Sequence, residues 1–101
     1  MVCGIASING EHFTADVAKC VVMSYDYLVL AGTQGHFNHT KADRMIAIAE
    51  KQALPVVWFC EGGGGRPGDV DVGLISQGGL VCSTFYHFGR LSGLVPLVGQ
   101  C

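Results

Sequence analysis

Four consecutive glycines, Gly62 to Gly65, follow the strand-like apolar run LPVVWFC (Leu54 to Cys60) and sit inside the segment EGGGGRPGD, Glu61 to Asp69. Glycine inside a regular element costs roughly 0.5–1 kcal/mol relative to alanine. Four in a row therefore predict a loop, and a backbone without Cβ atoms can approach a ligand closely.

The elements around that loop alternate. Val2 to Ile8 (VCGIASI) reads as a strand closed by the turn signal Asn9-Gly10. After a polar excursion, Glu11 to Lys19, the run Cys20 to Leu30 reads as a second strand, with Val21, Met23, Tyr25, Tyr27 and Val29 on one face. A glycine-containing turn, AGTQG (Ala31 to Gly35), leads into helical spacing from Asn38 to Ala53, where Ala42, Met45, Ile46, Ala49 and Ala53 form one apolar stripe. Thr40 with Asp43 is a candidate capping pair at its start, with Asn38 an alternative N-cap, and Pro55 marks its end. A second helical stretch is expected near Ser83 to Ser92. Helix between two strands supplies the crossover that parallel pairing needs, so the expected class is α/β with mostly parallel strands. The glycine run then falls at the carboxyl end of a strand, where open α/β sheets bind ligands.

Length and charge set the outer bounds. A chain of 101 residues makes one domain at most and buries about 60–70% of its unfolded surface. Only 14% of the residues are charged, against about 25% in typical soluble domains. All eight acidic residues lie at or before Asp71, and Val72 to Cys101 holds one charged side chain, Arg90. That poorly solvated third, closing on the apolar run LVPLVGQC, predicts a single partial domain over residues 1–101 and a tendency to self-associate, hence a homo-oligomer. A net charge of −2 without a Lys/Arg cluster gives no footprint for nucleic acid or an anionic membrane. Without a spanning segment or a signal sequence, the expected location is cytoplasmic. Five widely spaced cysteines without C-x-x-C read as buried, reduced thiols and not as a disulfide framework.

Spacing tests the chemistry of the glycine loop. Gly63-x-Gly65-x-x-Gly68 formally meets the dinucleotide pattern, but Pro67 disturbs a helix start and no acidic residue lies beyond Asp71 to hold a ribose. A phosphate P-loop needs Lys-Ser/Thr where Asp69 and Val70 stand. Two readings remain open from the residues alone: backbone amides aimed at an oxyanion or thioester carbonyl, which need no side-chain signature, and a plain surface turn.

Four blocks, MSYDYLVLAGTQG (Met23 to Gly35), NHTKADRMIAIAE (Asn38 to Glu50), LPVVWFCEGGGGRPGD (Leu54 to Asp69) and RLSGLVPLVG (Arg90 to Gly99), closely resemble the carboxyltransferase domain of biotin-dependent acyl-CoA carboxylases, of the acetyl-CoA or propionyl-CoA carboxylase type. The resemblance implies a crotonase-like ββα superhelix, of which this chain would be part of the N-terminal half. It also implies acyl-CoA as substrate and a biotin carrier domain as partner in the full enzyme, with carboxybiotin delivering a carboxylate to the α-carbon of the acyl thioester. This segment itself is expected to bind no cofactor and no metal.

By the same resemblance Gly63 and Gly64 are the candidate catalytic amides facing the thioester carbonyl, and Gly62, Gly65 and Arg66 are candidate acyl-CoA-binding positions. Arg66 is expected to contact the loop's own carbonyls, or a CoA phosphate. Asp69 is expected to cap the next segment of the chain. The biotin-facing half of such a site is not represented, so the segment is expected to be inactive in isolation. The alternative is a stand-alone crotonase-like module that binds acyl-CoA or oligomerises without turnover.

Other polar residues carry less. His36-x-x-His39 lacks a third ligand at a supportive spacing, which favours turn and capping roles. Cys60 with His87 would make a nucleophile and base, but a cysteine on an apolar strand is ordinarily an inert thiol. Asp26, if buried, needs Ser24 or a backbone amide as partner.

Overall fold

A computed structural model describes residues 1–66 and 83–101. Strands β1 (Val2–Ser7), β2 (Lys19–Ser24), β3 (Val56–Phe59) and β4 (Leu97–Gln100) form one sheet in the order β1-β2-β3-β4, with helices α1 (His36–Gln52) and α2 (Thr84–Leu91). The sheet is mixed: β1 pairs antiparallel with β2, whereas β2, β3 and β4 run parallel. Helix α1 is the crossover between β2 and β3.

The hairpin closes around the polar excursion. Asn9 takes φ 54° and its carbonyl accepts from the N–H groups of His12 and Phe13, while the Thr14 carbonyl accepts from Val17 and Ala18. These local turns bring Ala18 back to Ile8, and Ser7 pairs with Lys19.

Strand β2 stops at Ser24, six residues short of the expected end at Leu30. The Asp26 carboxylate accepts the N–H of Leu28 at 3.0 Å, and this local turn takes backbone groups away from the ladder. Val21 and Met23 are fully buried as the alternation predicts, but Tyr27 is 60% exposed and Val29 50%.

Helix α1 buries Ala42, Ile46 and Ala49. With Val21, Met23, Leu54, Val56 and Leu91 they make the core between one sheet face and the two helices, and Met45, Trp58 and Phe88 pack against it. Ala53, placed on the same stripe by spacing, is instead exposed and left-handed (φ 51°, ψ 49°). Its N–H reaches back to Glu50, the Leu54 N–H bonds the Ala49 carbonyl at 2.9 Å, and Leu54 is buried. This is a Schellman ending in which the hydrophobic contact comes from Leu54.

The expected caps of α1 are replaced. Gly35 occupies the N-cap without a side-chain bond, Asn38 donates back to the Thr33 carbonyl, and the Thr40 hydroxyl donates to the His36 carbonyl. Asp43 instead reaches α2: one carboxylate oxygen accepts the N–H and hydroxyl of Ser83 at 2.9 and 2.8 Å, the other the Thr84 hydroxyl at 2.5 Å. Arg90 of α2 returns the connection, donating to Glu50 at 2.6 Å and to the Tyr86 hydroxyl at 3.0 Å.

Candidate functional site

Two loops leave the sheet at the carboxyl ends of neighbouring parallel strands, residues 25–35 after β2 and 60–66 after β3. Leu30, Ala31 and Gly32 carry φ of 48°, 55° and 69°, so the first loop turns through the left-handed region. For Leu30 and Ala31 this conformation is strained by about 1–3 kcal/mol each and persists only where surrounding contacts enforce it.

The glycine run supplies those contacts. A Cβ on Gly32 would lie 2.5 Å from the Glu61 carbonyl oxygen, and one on Gly62, whose φ is 146°, would lie 2.6 Å from the Gly32 Cα. The Gly63 N–H donates to the Ala31 carbonyl at 3.0 Å, and a Cβ on Gly63 would collide with the Thr33 methyl. The Gln34 N–H donates to Gly64, and the Arg66 N–H to Gln34, as an isolated parallel bridge between Gln34 and Gly65. Side chains complete the clasp. The Arg66 guanidinium donates to the Thr33 carbonyl at 2.7 Å and to its hydroxyl at 3.2 Å, and the buried Gln34 amide donates to the Gly32 carbonyl at 2.6 Å.

The five candidate residues therefore divide. Gly62 and Gly63 face the neighbouring loop, and Gly63 directs its N–H there. All four glycines are exposed, but a Cβ on Gly64 or Gly65 would meet no described atom within 4 Å. The Gly64 N–H donates no hydrogen bond among the described residues. Arg66 binds a carbonyl oxygen of the adjacent loop, that of Thr33. Asp69 lies outside the described residues, as do Pro67 and Gly68.

The AGTQG turn reads in the sequence as a mere connector, yet it makes half of the clasp. Its glycine spacing, Gly32 and Gly35, is the available signal, since Gly32 is the residue that lets Gly62 approach.

Other candidates are placed elsewhere. Cys60 points its thiol at the Trp58 carbonyl, 3.7 Å away, and burial pushes that thiol's pKa up, as does the neighbouring Cys101. His87 sits on α2 with its Nδ1 3.5 Å from a Glu50 oxygen of α1, close to that helix but without a hydrogen bond from that nitrogen to any described residue. Among the described residues no three His, Cys, Asp or Glu side chains stand together as a metal site, and no helix is long and apolar enough to cross a membrane.

No protein-family profile matches the chain, and no curated protein matches it. Solved structures do, 17 chains in all. One, described as a single-chain, multi-domain long-chain acyl-CoA carboxylase, is 47% identical with a TM-score of 0.79 over 97% of this chain. The chain spans 9% of that protein's length.

Proposed function

We propose, from the premise that this chain is a partial carboxyltransferase segment related to the acyl-CoA carboxylases, that it forms one wall of an acyl-CoA carboxyltransferase site. The observation that carries this reading is the glycine loop held at the carboxyl end of β3 by the AGTQG turn, inside a chain 47% identical over 97% of its length to part of a carboxylase.

The ββα order of β1, β2 and α1 supports the crotonase-like expectation, as does the parallel β3 after it. In this reading the amide facing the acyl thioester carbonyl is that of Gly64. Gly63 holds the loop through Ala31, and Arg66 holds it through Thr33. Fixed amides act on the oxyanion that develops at the thioester because they need no reorganisation as charge appears. The rigidity of the clasp is thus part of the chemistry.

Carboxybiotin on a carrier domain would supply the carboxylate, and no residue of this chain is assigned to holding it. Activity then requires further chain, and the isolated 101 residues are inactive. Phe59 and Val98, 39% and 53% exposed on the sheet face opposite the helices, are the apolar surface that such further chain or a second protomer would cover.

The test is a transfer assay with malonyl-CoA or methylmalonyl-CoA and carrier-linked biotin. Turnover by the isolated chain overturns the partial-site reading. In an enzyme containing this segment intact, Gly64→Pro, which removes the proposed N–H, is expected to lower kcat by about 10²-fold or more with the protein folded, and unchanged kcat would remove Gly64 from the role. Acyl-CoA binding by the isolated chain without turnover would favour the stand-alone binding module.

A further inference from the structure

The parallel ladder continues one step beyond the ends of the strands. The Tyr25 N–H donates to the Phe59 carbonyl at 3.1 Å, and the Cys60 N–H to the Gln100 carbonyl at 2.7 Å. In a parallel pair a residue whose N–H bonds position j−1 stands opposite position j. Tyr25 therefore stands opposite Cys60, and Cys60 opposite Cys101, continuing the registers Met23 with Trp58 and Trp58 with Gly99. Directly opposed residues project to the same face. On that face Val56, Trp58 and Cys60 line a cavity of about 130 Å³ with Phe88, Leu97 and Gly99.

Neighbouring strands lie about 4.7–4.9 Å apart, inside the roughly 4.4–6.8 Å between Cα atoms that a disulfide spans. Both cysteines are reduced, but neither is buried as the apolar runs around them predict: Cys60 is half-buried and Cys101 exposed. Cys101 follows Gln100, the last residue of β4, and the Cys60 N–H bond to the Gln100 carbonyl sets it opposite Cys60. Burial, and then the neighbouring Cys101, which shares a side-chain hydrogen bond with it, push the Cys60 thiol's pKa up, so Cys60 is the resolving thiol and not the one that meets the oxidant.

We infer that Cys60 and Cys101 form a reversible dithiol–disulfide pair, a redox-modification site at the carboxyl ends of β3 and β4. The oxidant is a peroxide. The exposed Cys101 sulfur attacks one peroxide oxygen, the O–O bond breaks, and the products are a sulfenic acid at Cys101 and water or an alcohol. The Cys60 sulfur then displaces hydroxide from the Cys101 sulfur, its proton leaving with that hydroxide as water. Two thiols have lost two electrons and the peroxide has gained them. A reduced thiol returns the pair by exchange. Because Cys60 directly precedes Glu61, the bond fixes the root of the glycine loop to the neighbouring strand. In a reducing compartment such a pair is transient, which is the ordinary behaviour of redox-sensing cysteines.

The inference is independent of the acyl-CoA reading and is tested on the chain itself. The reduced chain is treated with one equivalent of hydrogen peroxide under native conditions, then alkylated, digested without reductant and mapped by mass. The expected product is monomeric, lighter by two hydrogens, linked between the peptides carrying Cys60 and Cys101, and restored by dithiothreitol. Cys101→Ser is expected to abolish the link and leave a sulfenic acid or an intact thiol at Cys60. A dominant link between any other pair, a purely intermolecular link, or two alkylatable thiols at Cys60 and Cys101 after oxidation of another cysteine would each overturn it.

Discussion

Gly32 and Gly62 meet backbone to backbone: a Cβ added to Gly62 would lie 2.6 Å from the Gly32 Cα, and one added to Gly32 would lie 2.8 Å from the Gly62 Cα. Both residues also have φ in the range that L side chains rarely adopt, 69° and 146°. Strain and collision therefore act together in either alanine variant. Gly62→Ala and Gly32→Ala are expected to destabilise by at least about 1–3 kcal/mol. Gly64→Ala and Gly65→Ala, free of both, should stay within about 1 kcal/mol of the parent. Urea denaturation followed by Trp58 fluorescence checks this, and equal losses at all four positions would contradict it.

Asp43 caps a helix from a distance. Burial pushes its carboxyl pKa up, but the bonds from the Thr84 hydroxyl, the Ser83 N–H and the Ser83 hydroxyl, with the charge of His39, outweigh it, so the pKa lies below the ordinary aspartate value. A depressed folded pKa means that the carboxylate's contribution is complete above about pH 3.9 and is lost as pH falls through the lower folded value. Asp43→Ala should cost about 1–2 kcal/mol near neutrality, as expected for a lost N-cap. It should also flatten the acid limb of the stability curve below about pH 4. Denaturant midpoints from pH 2 to 7 measure both effects, and an unchanged acid limb would refute the assignment.

Arg66 ties the glycine loop to Thr33 through the Thr33 carbonyl and hydroxyl. Removing a charge-assisted donor from partly buried partners is worth about 1 kcal/mol or more. Arg66→Ala should therefore loosen the clasp locally, with the Gly63 and Gln34 amides exchanging roughly fivefold faster while the core amides of Val21 and Met23 hold their protection. Arg66→Lys, which keeps the charge but loses the planar fork, should recover part of the protection. Native-state hydrogen exchange distinguishes this from global destabilisation, which would accelerate all four.

Features that depend on neighbours in the chain are legible in the sequence. The apolar stripe of Ala42, Ile46 and Ala49 predicts a helix and its buried face, the alternation of Val21 and Met23 predicts a buried strand face, and four glycines predict a loop. Features set by partners far along the chain are not. Asp43 reads as a cap for its own helix but serves one that begins 41 residues later, at Thr84. Apolar alternation runs on through Tyr27 and Val29, yet the Asp26 turn to Leu28 ends the strand. In the site, Gly62 to Gly65 are identifiable as a close-approach backbone. That Gly62 and Gly63 pack on the AGTQG turn, while Gly64 gives that turn its carbonyl and leaves its N–H unbonded among the described residues, depends on two loops meeting in space.

Ala53 gives a prediction of the opposite sign. It sits left-handed at the end of α1 with φ 51° and ψ 49°, is exposed, and is the position of a Schellman ending where glycine is ordinarily found. Left-handed backbone costs an L residue about 1–2 kcal/mol, whereas glycine adopts it without that penalty. Glycine also gives the unfolded chain more freedom, which offsets roughly 0.4–1 kcal/mol of the gain. The net expectation for Ala53→Gly is a stabilisation of about 0.5–1 kcal/mol, because the strain exceeds the entropy difference. Ala49→Gly, inside the same helix and at a buried position, should instead destabilise by about 1 kcal/mol or more. Thermal or urea unfolding of the two variants side by side measures the contrast. Loss of stability in Ala53→Gly would mean that Ala53 is helical rather than left-handed in solution, and that α1 ends differently.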